Sequence, residues 1–190
     1  MNRRLAVTST VAILTLGGVT ACSGGNEHST HTSTSAPTST TAAEDMHGAH
    51  KMDGGPAPAG MSAATSPRFP IGSKVTLTTD HMDGMKGAPA TVVGAYSTNT
   101  YAVNYEPTTG GQMVKDHKWV VQQELKDAES GRLSNGTPIT ITADHMDGMK
   151  GAKGTIASST TQTVYMVDYT ADGMTMTNHK WVVEDEMEAR

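Results

Sequence analysis

A long internal repeat is the sequence feature that most constrains the fold of this chain. Residues 80–88 (DHMDGMKGA) recur without change as residues 144–152, which lie 64 positions later. Further along, residues 117–121 (HKWVV) recur as residues 179–183, 62 positions later. The offset falls by two between these motifs, as expected where one copy has a shorter surface loop. Self-similarity at a nearly fixed spacing indicates one structural unit built twice.

Each copy contains short segments that alternate apolar and polar residues, a pattern typical of half-buried strands. Residues 74–78 (KVTLT) and 138–142 (PITIT) show it most clearly. We therefore predict a mainly β chain with two tandem small antiparallel barrels of the SH3-like type, because closure removes exposed strand edges. The predicted repeats are residues 68–130 and 131–190. Units of this size are small for independent stability, so we expect the two copies to pack on each other.

The N-terminus has the pattern of a secretory signal peptide. A basic start is followed by a short apolar run and then by Val-Thr-Ala-Cys, where Cys22 is the only cysteine of the chain. The apolar run is shorter and more polar than a membrane-spanning helix requires. The residues around Cys22 resemble a bacterial lipobox, which implies cleavage after residue 21 and a diacylated Cys22. The alternative is an unmodified free thiol. We expect a lipid anchor in the bilayer at the extracellular face of a bacterial cell membrane.

Residues 22–67 are rich in Ser, Thr, Ala, Pro and Gly and contain almost no large aliphatic side chain. Such a segment buries too little apolar surface to offset its ordering entropy, so we predict a disordered tether. One part of it is unusual for a tether, because two His and two Met occur within seven residues. This cluster comprises Met46, His47, His50 and Met52.

The charge of the chain excludes one class of partner. Cleavage after residue 21 removes Arg3 and Arg4 from the 14 basic residues, which leaves 12 against 19 acidic ones and a formal charge of −7. Nucleic-acid binding selects basic surfaces, so no nucleic-acid partner is expected. The sequence also lacks a Gly-rich phosphate loop and a nucleophile–base arrangement, and we expect no enzymatic activity.

Methionine is the most unusual part of the composition. The chain has 13 Met but one Phe, and only three Leu follow Cys22. Met usually serves as an occasional filler of core gaps. Here Met82, Met85, Met146 and Met149 lie among Asp, Gly and Lys, in segments whose composition predicts that they are too polar for a core. Thioether and imidazole ligands together favour copper, as Cu(I) or Cu(II), over harder cations. The pattern therefore predicts copper binding.

We expect each Gly-containing loop to fold back and present its His and Met side chains to one ion, with the second His of the same copy as a further ligand. The predicted ligands are His81, Met82, Met85 and His117 in the first copy and His145, Met146, Met149 and His179 in the second. Two other interpretations stay open. The loops could be purely structural turns, and the histidines before Lys-Trp could bond a backbone carbonyl.

These motifs, in tandem behind a lipobox, resemble the YdhK-like family of bacterial surface lipoproteins. The resemblance covers about residues 68–188. It implies extracellular copper sequestration, because some members are associated with copper resistance and bind copper outside the cell. We therefore expect a non-enzymatic lipoprotein that sequesters copper or hands it to a partner such as a copper exporter. The alternative is a cell-wall binding or interaction module without a metal role.

Overall fold

The computed structural model describes residues 51–128 and 130–190 of the chain. In these residues the order of elements is β1 (Ser62–Ala63), β2 (Lys74–Leu77), β3 (Pro89–Glu106), β4 (Val114–Val121), the 3₁₀ helix η1 (Gln122–Glu124), β5 (Pro138–Thr140), β6 (Lys153–Ala171), β7 (Met174–Val183), the 3₁₀ helix η2 (Glu184–Glu186) and β8 (Met187–Ala189). The mainly β prediction is confirmed. No helix in the described ranges is long and apolar enough to cross a membrane.

A two-stranded antiparallel ribbon of β3 and β6 forms the centre of the fold. The two strands pair along nearly their whole lengths, from Ala90 opposite Tyr169 to Glu106 opposite Lys153. Two register shifts interrupt the ladder, and such bulges bend and twist a strand. Because β3 comes from the first repeat and β6 from the second, the central pairing joins the two copies.

The outer edges of the ribbon carry the shorter strands in a nearly two-fold arrangement. β2 and β4 pair with β3, while β5 and β7 pair with β6. β8, at the end of the second repeat, pairs with β2 of the first, with Leu77 opposite Met187. The equivalent contact on the other side is the bridge between Leu125 and Ile141. Each repeat therefore completes the sheet of the other.

The two hydrophobic cores are also shared between the repeats. Lobe 1 combines the first half of repeat 1 with the second half of repeat 2, and its core is made of Phe69, Val75, Leu77, Met85, Ala88, Ala90, Val92, Ala95, Tyr165, Val167, Tyr169, Met176, Val182 and Met187. Lobe 2 has the reverse composition, with Tyr101, Val103, Tyr105, Val120, Leu125, Ile139, Ile141, Ala143, Met146, Met149, Ala152 and Ile156. Neither lobe has a core from one repeat alone.

The prediction of two separate SH3-like barrels is therefore not confirmed. The strands form one open antiparallel sheet in the order β5-β6-β3-β2-β8, with β1 and β4 on β3 and β7 on β6. The tandem repeat is present, but its copies interlock instead of closing separately. Sequence reasoning placed each core inside one copy, because alternation along a strand does not reveal which distant strand lies beside it.

The end of the predicted tether is ordered. Residues 51–64, here called the strap, run across β7 and then add β1 to the edge of β3. The amide of Gly54 donates to the Thr177 carbonyl at 2.9 Å, and Thr177 donates to the Met52 carbonyl at 2.9 Å. The prediction of disorder is wrong for this part. Residues 22–50 of the predicted tether, which include Cys22, lie outside the described residues, as does the signal peptide.

Candidate functional site

Two matching clusters of polar side chains lie where the repeats meet. In the first, Glu124 of η1 is buried and accepts three hydrogen bonds. His145 Nε2 lies 2.7 Å from its Oε1, while Trp181 Nε1 and the Val121 amide donate to its Oε2 at 2.9 and 3.2 Å. His145 and Trp181 come from repeat 2, so this carboxylate joins the two copies.

The second cluster repeats this arrangement with the roles of the copies exchanged. Glu186 of η2 receives His81 Nε2 at 2.8 Å, Trp119 Nε1 at 3.0 Å and the Val183 amide at 3.0 Å. The side chains of His81 and Glu186 are 13% and 15% exposed, against 8% and 5% for His145 and Glu124. The second cluster is thus more exposed to solvent than the first.

Both glutamates are held in the ionised form. Burial alone raises the pKa of Glu124, but the charge and hydrogen bond of His145 outweigh it, with Trp181 and Val121 adding to the effect, so its pKa lies below the ordinary value. The pKa of Glu186 is lowered in the same way, against its own burial, chiefly by His81. Each carboxylate is therefore matched by donors from the opposite repeat.

These clusters change the interpretation of the two histidines predicted as loop ligands. His145 bonds the buried Glu124, and His81 bonds the partly buried Glu186. The loop methionines are also placed differently from the prediction. Met85, Met146 and Met149 are buried core residues, so the expectation that their loops are too polar to supply a core is wrong for these three.

The burial of the loop methionines has a clear structural cause. Each loop packs on the hairpin of the other repeat, so polar neighbours face outward while Met points inward. The Thr108 amide donates to the Gly148 carbonyl at 2.9 Å, and a Cβ on Gly148 would clash with Thr109. Gly148 also has a φ of 75°, which favours glycine. Met149, next along, fills the core of lobe 2.

Each predicted set of ligands came from one repeat. The structure divides the members of each set between the two lobes. Met82 packs against lobe 1, where the Tyr169 hydroxyl donates to its Sδ at 3.4 Å. The ring of Tyr169 in turn meets His179 edge-on, with centroids 5.4 Å apart. In lobe 2, Met146, Tyr105 and His117 have the same relation. The structure thus associates Met82 with His179, and Met146 with His117, which is the reverse of the predicted grouping.

No group of three or more His, Cys, Asp or Glu side chains suited to a metal ion occurs within residues 51–128 and 130–190. Of the N-terminal cluster, Met52 is described and is 45% exposed. Met46, His47 and His50 lie outside the described residues. Sequence reasoning missed Glu124 and Glu186, although one signal was available: both lie three residues after the Val-Val that ends the repeated His-Lys-Trp motif.

Comparison with known proteins assigns the family. The sequence family described as "Protein of unknown function (DUF1541)" matches residues 71–122 and 135–184, which together exceed half of the chain. The chain belongs to the DUF1541 family. The two matched segments are the two repeats, so the chain carries tandem DUF1541 units, and the family resemblance inferred from the motifs is confirmed.

Relatives in the DUF1541 family support this assignment. The chain is 51% identical over 135 residues to "Uncharacterized protein YdhK" of Bacillus subtilis (strain 168); the match covers 70% of this chain and 66% of that protein, slightly less than two thirds of its length. It is similar to a crystal structure of a DUF1541 family protein, ydhK, from the same organism, with a TM-score of 0.71, 49% identity, and coverage of 74% and 99% of the two chains. A solution structure of the ydhK C-terminal domain is also similar, with a TM-score of 0.62, 53% identity, and coverage of 64% and 94%.

Proposed function

We propose that this chain is an extracellular, membrane-anchored lipoprotein that binds copper for sequestration or tolerance. In this proposal a diacylated Cys22 holds it in the bilayer, and the His and Met side chains of residues 46–52 capture the ion. A copper exporter or the cell wall would be its neighbour. The chain performs no catalysis, and the folded repeats serve as the body that carries the ligands.

The observation that carries the proposal is the exposure of Met52 beside a fold that buries most of its loop methionines. Met85, Met146 and Met149 are committed to the two cores. Met52, by contrast, is attached to β7 through its backbone while its thioether remains 45% exposed. A thioether left in water, which follows two histidines closely in the sequence, suits a soft ion better than a packing role.

The chemistry of the cluster favours copper over zinc or magnesium. Thioethers are neutral and soft, and imidazole binds both oxidation states of copper. Structural zinc sites usually draw on thiolates, and Cys22 is the only cysteine of the chain. Within the folded repeats, Met82 is partly exposed beside Tyr169, whereas the other three loop thioethers are buried, so Met82 is the loop thioether still accessible to an ion.

Competition for Cu(I) with a chromophoric chelator tests the proposal. We expect residues 23–190 to withdraw Cu(I) from the chelator. We expect residues 51–190, and a variant with Met46, His47, His50 and Met52 all changed to Ala, to compete at least about tenfold more weakly, a difference of about 1.4 kcal/mol.

The matched control is the double variant His28→Ala/His31→Ala, which removes two histidines from the same N-terminal segment without touching the Met-containing cluster. It should compete as well as the unaltered chain. Equal competition by all four proteins would refute the assignment to residues 46–52, and equal loss in the control would reduce the effect to nonspecific histidine binding. A Met82→Ala variant measures any contribution from lobe 1.

A further inference from the structure

The strap occupies one strand edge of the sheet, and the occupied edge has a two-fold counterpart. On β7 the strap forms a parallel bridge from Asp53 to Thr177. Asn178 Nδ2 donates to Asp53 Oδ1 at 3.0 Å, and Lys180 Nζ donates to the Pro56 carbonyl at 2.7 Å. Residues of β4 hold the same positions in repeat 1.

The backbone of the two edges has the same shape. Val103 opposite His117 on β3–β4 corresponds to Val167 opposite His179 on β6–β7, and both pairings are followed by a register shift. Asp116 and Asn178 have left-handed backbones with the same φ of 52°. Each also donates its amide to a side chain of the neighbouring strand, Asn104 or Asp168. A backbone that fits one edge therefore fits the other.

The β4 edge is uncovered in the described part of the chain. There, β4 pairs only with β3, and Lys115, Asp116 and Lys118 are exposed, whereas their counterparts on β7 are half-buried. Trp181 is fully buried, with Ala57 and Met61 of the strap packed against the same cluster. Trp119, its counterpart, is half-buried. The strap contributes to the burial of Trp181, as does Tyr96, whose ring meets the indole edge-on.

The side chains along the β4 edge define what fits there. Asp116 replaces Asn178, so an occupant needs a hydrogen-bond donor where the strap has the carboxylate of Asp53. At the start of the strap, Lys51 Nζ pairs with Asp144 at 2.6 Å. Asp80 is the counterpart of Asp144 in the repeated motif and is exposed. Two carboxylates thus favour a cationic segment that carries a second donor.

We propose that the β4 edge at Lys115, with Asp80, Asp116 and Trp119, binds an extended lysine-containing peptide segment of a partner protein. The segment adds to the edge as a parallel strand, in the manner of β-augmentation. Its lysine pairs with Asp80, its donor side chain bonds Asp116, and a small apolar residue covers Trp119. This inference does not depend on copper binding.

Titration of residues 23–190 with the peptide acetyl-Lys-Met-Asn-Gly-Gly-Pro-Ala-amide tests it by ¹⁵N-¹H NMR. This peptide copies the strap with Asn in place of Asp. We expect saturable shifts at the amides of residues 115–119 and at the Trp119 indole. The Asp version of the peptide should bind at least about fivefold more weakly, because its carboxylate faces Asp116. Asp116→Asn should reverse this preference without altering the fold.

Three outcomes would overturn the proposal. One is the absence of shifts at residues 115–119 at millimolar peptide. Another is a set of shifts confined to residues 177–181, which would mean that the peptide only displaces the strap. The third is binding that appears only after trimming to residues 51–190, which would make the upstream part of this chain the occupant. An unchanged preference in Asp116→Asn would refute the role of that carboxylate.

Discussion

Replacing Glu124 by leucine should destabilise the protein far more than the same replacement at Glu186. Each glutamate accepts from a histidine, a tryptophan indole and a backbone amide, and Glu186 also accepts a long hydrogen bond from the Thr79 hydroxyl at 3.4 Å. They differ in burial, since Glu124 and its histidine are 5% and 8% exposed while Glu186 and its histidine are 15% and 13% exposed. Since the extra partner of Glu186 would only add to its loss, a larger effect at Glu124 would report its deeper burial.

The magnitude follows from what the substitution leaves behind. Removing Glu124 leaves the Trp181 indole, the Val121 amide and His145 buried without their acceptor. Breaking one partner of a buried ion pair costs about 3–5 kcal/mol, and we expect Glu124→Leu to fall in that range. At Glu186 water replaces part of what is lost, so we expect about 1–3 kcal/mol, a range typical of lost hydrogen bonds to a charged group.

Equilibrium unfolding in urea, followed by tryptophan fluorescence and circular dichroism, measures both free energies of unfolding. The pH dependence gives a second test. Because the pKa of Glu124 is lowered from its ordinary value of 4.5 on folding, its stabilising contribution is complete above that value. It is lost as the pH falls through the lower folded pKa. The difference between the unaltered chain and Glu124→Leu should therefore shrink on acidification below pH 4.5.

Equal destabilisation by the two variants at pH 7 would refute the argument from burial. A difference between the unaltered chain and Glu124→Leu that does not change with pH would refute the argument from ionisation. Glu124→Gln is the matched control for shape, since it keeps the size of the side chain and one acceptor oxygen while removing the charge.

Two further predictions concern the core and the strap. Met85→Gln should lower the free energy of unfolding by about 2–5 kcal/mol, because it buries an amide where no water reaches, whereas Met85→Leu should cost less than about 1.5 kcal/mol; thermal unfolding compares them. Gly54→Ala should lift the strap, because its Cβ would clash with the Asn178 carbonyl, and should be seen as a red shift of the Trp181 emission and faster proteolysis of residues 51–64. Gly131→Ala, whose Cβ meets no atom within 4 Å and whose backbone has no positive φ, is the control, and equal effects of the two changes would contradict this explanation.

The internal repeat and the mainly β fold class could be predicted from the sequence, because both follow from short local patterns of residues. Identical motifs at a nearly fixed offset indicate duplication, and the alternation of Tyr101, Val103 and Tyr105 indicates a strand. All three are indeed buried in lobe 2. These patterns say which face of a segment is apolar, but they do not say which distant segment covers it.

The candidate site could not be predicted, because its side chains come from segments far apart in the sequence. Met82 meets Tyr169, 87 residues away, and His81 meets Glu186, 105 residues away. From sequence alone, a loop rich in Asp, Gly and Lys is expected to be exposed to solvent. In the structure, its Met side chains pack against residues of the other repeat. The strap was missed because its contacts are mostly backbone hydrogen bonds, which composition does not report.

The interlocking of the repeats also determines when this chain can fold. In lobe 1 the last strand, β8, pairs with β2 near the start of repeat 1, and the Arg190 amide donates to the Lys74 carbonyl at 3.1 Å. Lobe 2 takes seven of its twelve buried core residues from repeat 2. During synthesis from the N-terminus, repeat 1 therefore has no complete core of its own to fold around. Lobe 2 has all of its core residues once Ile156 has been made, whereas lobe 1 must wait for Met187, so we expect lobe 2 to complete its core first.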